Sequence, residues 1–433
     1  MDNCITTARE CEEEFNGYVK RMVAGLGKVE AKFAAQMITG INKSSSVILS
    51  EIARKSVKGV SVKKSVERFS RRLSVIDAKG IWDNYRAETA ELFNDSRIYI
   101  MDDTEIVKPM SKRMEGLGTV PDGSDDNILK PGYFVNEIVA INKKWQPVSV
   151  STKLYTAWEK KFESANNIRN EAVKEVIKNY GSGLFVCDRG FDDVKFFNLL
   201  SDLHQKFIIR CRSNRDVVDA GETVNIYDSA KRLKGKYAFS IKFQDGLKDR
   251  LKASYKEVRL PKMPVPLNLV VVYGFHEDDG EPFYLLTNNP IKDKEGCLNI
   301  VRAYLSRWKI EEYFKFKKQA YSFEKIRLLK LNALKNLNVF LTVAMGFLAS
   351  LSLSKISKRI IELSEPIRKK AAFIYYRLFA GLHTILHDFK ADILALIFPE
   401  KPKFLIFHQR DFFHYLRYIK NRSNVCQIQN GEI

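Results

Sequence analysis

Apolar positions in residues 1–95 recur at three- and four-residue spacing, with Gly25, Gly27 and Gly40 as punctuation, which predicts a helical region. Within it, residues 46–55 and 61–73 read as two short helices joined through Val57-Lys-Gly59-Val-Ser61, a helix-turn-helix-like spacing. The texture then changes. Arg97-Ile-Tyr-Ile-Met is a buried-strand run that ends in Asp102-Asp103-Thr104. Tyr133–Ile141 and Pro147–Leu154 alternate as a hairpin about Asn142-Lys-Lys-Trp145, and a helix follows from Ala165 to Tyr180, with Ser164 or Asn166 at its start and Gly181 at its end. A second short strand, Leu184–Cys187, again ends in an acid, Asp188-Arg189-Gly190. A helix to His204 and a strand from Phe207 to Cys211 complete an alternating β and α unit.

Residues 213–280 alternate at period two between turn and charge clusters and read as a β-rich insertion. Phe283–Thr287 returns to strand, and the Pro- and Gly-free run from Tyr304 to Lys318 reads as one helix. From Ala333 onward the pattern is helical, with Tyr375, Tyr376, Phe412, Phe413, Tyr415 and Tyr418 among Lys and Arg. Asn336–Ser354 carries no charge and is long enough to cross a bilayer. Its Asn, Thr, Gly and Ser content favours a buried core helix and no membrane. The organisation is therefore α/β: helical residues 1–95, a core in 96–212 and 281–330 around the insertion at 213–280, and a helical region at 331–433.

Charge adds a partner class. Lys and Arg number 72 against 52 Asp and Glu, a formal charge of +20, which suits a polyanion, most often nucleic acid. Part of the excess is local, and the second short helix carries Lys63, Lys64, Arg68, Arg71 and Arg72, suited to phosphates and groove edges. A solvated basic face accounts for the same residues equally well. The six cysteines are dispersed with no C-x-x-C pair, which points away from a zinc knuckle or disulfide framework and toward a reducing, cytoplasmic setting. The N-terminal residues lack the basic-then-apolar order of a signal peptide. His383 and His387 stand at i,i+4 without an evident third zinc ligand.

Three acids stand out by position: Asp103 and Asp188 after buried strands, and Glu311 on a later helix. Ends of neighbouring strands converge in an α/β sheet, so acids far apart in sequence share one cleft there. Carboxylates gathered in this way suit Mg²⁺ or Mn²⁺, and a pair of such ions activates a water or hydroxyl against a phosphodiester. On one helix, Tyr304, Arg307, Glu311, Lys315 and Lys318 would share a face, with the cations beside Glu311 placed to grip phosphates. Asp102 competes with Asp103 for its role, and Glu312 with Glu311.

Tyr304, Arg307, Glu311 and Lys318 stand in the order Tyr-x2-Arg-x3-Glu-x6-Lys. With Asp103-Thr104, Asp188-Arg189 and the β-rich stretch between the second Asp and the Glu, the chain resembles the DDE transposases of bacterial insertion sequences, in the insertion-sequence-four-like group. The resemblance spans roughly residues 96–330. It implies an RNase H-like core holding two Mg²⁺ ions, replaceable by Mn²⁺, on Asp103, Asp188 and Glu311. It further implies cleavage of double-stranded DNA at terminal inverted repeats and strand transfer into target DNA, with Tyr304, Arg307, Lys318, Lys315 and Arg189 contacting DNA. Two ends are held together in such a reaction, so the C-terminal helices suit contacts within a homodimer. A DNA-binding descendant without cleavage, and an RNase H-like nuclease without joining activity, are the alternatives.

Overall fold

Five helices occupy the N-terminal region: α1 (Asp2–Met22), α2 (Lys28–Ser44), α3 (Leu49–Ser56), α4 (Val62–Val75) and α5 (Lys79–Ala90). The computed structural model describes residues 2–387 apart from positions 58, 124, 126–127, 243–247, 264, 275–280 and 365–372. These residues belong to one compact unit, Met1–Ala391; a second, Asp392–Ile433, lies outside the described residues, and with it Phe412, Phe413, Tyr415 and Tyr418. The Ser61 hydroxyl caps α4 by accepting from the Lys64 amide, and Ser65, Phe69 and Leu73 form its buried stripe at four-residue spacing.

The helices gather round α11 (Leu331–Leu353), the uncharged run noted above. It is the one helix among the described residues long and apolar enough to cross a membrane, and 83% of that window is buried inside the protein. Its ring contacts include Phe340 against Phe33 and Phe347 against Phe15. Two of its asparagines donate internally: Asn336 to the Leu73 and Ile76 carbonyls at the end of α4, and Asn338 to Thr152. Gly346 admits the Tyr85 ring, since a Cβ there would lie 2.4 Å from its edge.

A ten-stranded mixed sheet forms the other half of the core. Its strands are β1 (Arg97–Val107), β2 (Gly118–Asp122), β3 (Ile128–Ile141), β4 (Pro147–Tyr155), β5 (Gly183–Cys187), β6 (Lys206–Cys211), β9 (Tyr237–Lys242), β10 (Lys248–Val258), β11 (Leu267–Tyr273) and β12 (Phe283–Thr287). Their order is β2-β3-β1-β5-β6-β12-β11-β10-β9, with β4 on β3; β1, β5 and β6 run parallel. Helices α6 (Ala165–Tyr180) and α7 (Val194–Asp202) supply the crossovers, and Ser164 caps α6.

The β-rich stretch does not stand apart. Strands β9 to β11 continue the main sheet through β12, whereas β7 (Asp216–Asp219) and β8 (Glu222–Asn225) form a separate ribbon followed by α8 (Ile226–Lys231). Two expectations need correction. Strand β1 does not stop at the acids but runs on to Val107, because β3 keeps pairing with it there; only its parallel partner β5 ends, at Met101↔Cys187. The run from Tyr304 to Lys318 is likewise two helices, α9 (Lys294–Leu305) and α10 (Trp308–Ala320). At the break, i→i−3 bonds from Arg307, Lys309 and Ile310 replace the α ladder, and the Ser306 hydroxyl takes the Ala303 carbonyl. Beyond α11 lie α12 (Ser357–Glu362) and α13 (Ile374–His387).

Candidate active site

The acids collect where β5 ends beside the continuing β1. In the parallel register Met101 is level with Cys187, so the next residues, Asp102 and Asp188, leave the pair together. Alternation along β1 then separates its two acids. Asp103 shares a face with Asn136, whose amide donates to Asp103 Oδ1 at 2.8 Å, and with Arg169 of α6, whose Nε reaches Oδ2 at 2.8 Å. The Arg169 guanidinium also lies over the Phe191 ring, 4.5 Å from its centre. Asp102 is on the opposite face, level with Glu137 of β3.

There Asp102 meets the break between α9 and α10. Arg307, at the break, lies 3.6 Å from the Asp102 carboxylate and 2.5 Å from that of Glu311. Burial, and next the facing Asp188 carboxylate, push the Asp102 carboxyl up to about 8, with Arg307 pulling it back. Two carboxylates forced together where an arginine only partly offsets them form the kind of oxygen-rich site that a divalent ion relieves. As they stand, no three His, Cys, Asp or Glu side chains among the described residues are grouped closely enough to hold a metal. Glu311 and Asp103 are each turned to an arginine instead.

The remaining expected residues divide between surface and interior. Glu311 is 48% exposed and faces Arg307, whereas Glu312 pairs with Lys309 at 3.3 Å, so Glu311 is the acid of this pair that shares Arg307 with Asp102. Lys315 is exposed; Lys318 is half-buried and held by Glu105 of β1 at 2.8 Å and Glu324 at 3.4 Å. Tyr304 is only 3% exposed, its ring 5.6 Å from that of Phe283, so it braces the site from within as the last residue of the buried stripe of α9 that includes Cys297 and Val301. Asp188 accepts from the Gly190 amide, and Arg189 is exposed on a cavity of about 180 Å³ shared with Arg210, Arg212 and Phe283. A larger cavity, about 450 Å³, lies between β4, the start of α6 and α11, and contains none of the three acids.

On α4, Lys63, Lys64, Arg71 and Arg72 are exposed, while Arg68 turns toward α2 and donates to Gln36 at 2.9 Å. Near the Asn42 end of α2, Ser45 and the His383 ring share a hydrogen bond, which gives that imidazole a structural partner. Arg169 went unforeseen, since nothing in the local pattern of α6 distinguishes it from an ordinary surface arginine. Its role arises only when α6 is laid over β1.

Residues 159–347 match the family model described as transposase DDE domain. The match supports a DDE transposase and, with it, a nuclease-type activity on DNA. The mixed sheet flanked by helices is consistent with the RNase H-like fold of such domains. The matched segment of the DDE domain contains Asp188, Tyr304, Arg307, Glu311, Lys315 and Lys318. Strand β1 with Asp102 and Asp103 precedes it, so the first acid rests on geometry and sequence alone.

Proposed function

We propose that this protein is a cut-and-paste transposase that cleaves double-stranded DNA at the terminal inverted repeats of its own element and transfers the strands to target DNA. The observation that carries the reading is the meeting of Asp102, Asp188 and the Arg307–Glu311 pair where β5 ends against β1. The carboxylate oxygens fit hard divalent ions, Mg²⁺ with Mn²⁺ as substitute, held by Asp188, Glu311 and an acid of β1. Bound there, such ions polarise a phosphodiester and activate the attacking oxygen.

For the first arm the register favours Asp102, which leaves the β1–β5 pair level with Asp188, over Asp103, which Arg169 and Asn136 occupy. Arg307 neutralises the crowded acids without the metal and, with Lys315, Lys318 and Arg189, lies near enough to receive flanking phosphates. Exposed Lys63, Lys64, Arg71 and Arg72 on α4 supply a separate basic surface for end recognition. Two copies act together in the end-paired complex.

The test is cleavage of labelled DNA carrying the repeats that flank the coding region, with Mg²⁺, by wild type and by Asp102→Asn, Asp103→Asn, Asp188→Asn and Glu311→Gln. The reading requires that Asp188→Asn and Glu311→Gln lose cleavage but keep binding, and that Asp102→Asn falls further than Asp103→Asn. Wild-type binding with no cut would make the chain a DNA-binding relative. Cutting without joining to a target plasmid would make it a nuclease.

A further inference from the structure

Behind the acids lies a buried ion pair that the proposed chemistry does not use. Lys317 of α10 and Glu137 of β3 meet at 3.0 Å with side chains only 2% and 0% exposed. Glu137 accepts from the Ser149 hydroxyl at 2.5 Å and from Thr152 at 2.8 Å, both on β4. The Lys317 ammonium donates to Thr342 of α11 at 3.3 Å and lies over the Phe323 ring. Four elements therefore converge on one pair, and burial pulls the Lys317 ammonium below its ordinary range.

Stability is a weak reason for such a pair, since apolar residues of similar size often serve as well or better in a core. Its position offers another reason. Glu137 is the register partner of Asp102 on β3, and Lys317 sits on the same helix as Glu311. The first turn of α10, which carries Glu311, follows a break and has no side-chain cap to hold it. A helix moves as a screw, so a lysine anchored at one point fixes the rotation and rise of every other residue on it.

We infer that the Lys317–Glu137 pair is a positioning device that sets the screw position of α10 against β3 and so fixes where Glu311 stands relative to Asp102 and Asp188. The inference rests on the reading of Glu311 as a metal-holding acid. Misplacing a reacting group by about 1 Å costs on the order of a hundredfold in rate, so even a small slip of α10 is measurable.

The experiment uses the full chain and Mn²⁺ alone, without DNA, with binding followed by electron paramagnetic resonance beside a thermal melt. Lys317→Met/Glu137→Leu replaces the pair by apolar bulk. It is expected to melt at or above the wild-type temperature, to bind Mn²⁺ at least tenfold more weakly, and to lose cleavage by a similar factor with KM for DNA within threefold. Mn²⁺ affinity within twofold of wild type overturns the inference. Should the double variant fail to fold, Lys317→Arg keeps the charge but alters the head-group shape; it is expected to stay folded with severalfold weaker Mn²⁺ binding, and unchanged affinity again overturns the inference. Asp188→Asn separates the two readings. If wild type binds no Mn²⁺, or Asp188→Asn binds it equally well, the metal reading fails and this inference with it. If that control loses Mn²⁺ while the pair variants keep it, only the positioning role falls.

Discussion

Asp102→Asn should make this protein more stable, and the gain should depend on pH. The Asp102 carboxyl is raised from an ordinary 3.8 to about 8 by burial and by the facing Asp188. Between those values the folded state holds a proton that the unfolded state has released, so this group lowers stability progressively as pH rises from about 4 to about 8. The span corresponds to a ceiling of about 6 kcal/mol. Asp102 is half-buried and water reaches the cleft, so about 1–3 kcal/mol is the expected size. Asparagine is neutral at every pH and still accepts the Asp103 amide through its side-chain oxygen, a bond of 2.9 Å in the native protein. Urea unfolding in EDTA at pH 4, 6 and 8 measures the difference. The variant should match wild type near pH 4 and exceed it most at pH 8, and saturating Mg²⁺ should narrow the gap by favouring the native acids. Asp103→Asn should behave oppositely, losing stability at neutral pH because it surrenders the Arg169 pair. An Asp102→Asn protein less stable than wild type at pH 8, or a gap indifferent to pH, would refute the assignment of the crowded carboxylate.

Three other outcomes are expected. Arg169→Met should cost about 1.5–3 kcal/mol in EDTA, with a double-mutant cycle against Asp103→Asn showing that most of the loss is shared, as befits a charge-assisted pair. Asn336→Ala strips two partners from the carbonyls ending α4, at 2.8 and 2.9 Å, and should lower the urea-derived stability by about 2 kcal/mol; a change below about 0.5 kcal/mol would show that water replaces the amide. Lys63→Ala/Lys64→Ala should weaken DNA binding and flatten the slope of log K against log salt by about 2, read by gel shift across a salt series, whereas an unchanged slope would remove α4 from the interface.

Much of the site could be read from local pattern. The apolar runs before Asp102 and Asp188, the cap at Ser164 and the spacing of Tyr304, Arg307, Glu311 and Lys318 are properties of neighbouring residues, and such properties act before any tertiary contact forms. The single helix expected over Tyr304–Lys318 failed at one residue type. Ser306 has a hydroxyl that competes for the Ala303 carbonyl, and at the turn it permits Arg307 stands between Asp102 and Glu311.

Local chemistry thus determined most of the strand and helix segments, the acids that come after apolar strand runs, and the basic character of α4. Tertiary structure gave Asp102 and Asp103 different neighbours, since adjacent strand residues point to opposite faces and only pairing with β3 and β5 says which face is which. It also brought Arg169 to Asp103 and Lys317 to Glu137, contacts across 66 and 180 residues of chain. No residue near either partner in sequence records such a contact, because an ion pair's energy depends on distance in space and on exclusion of water, and folding alone sets both.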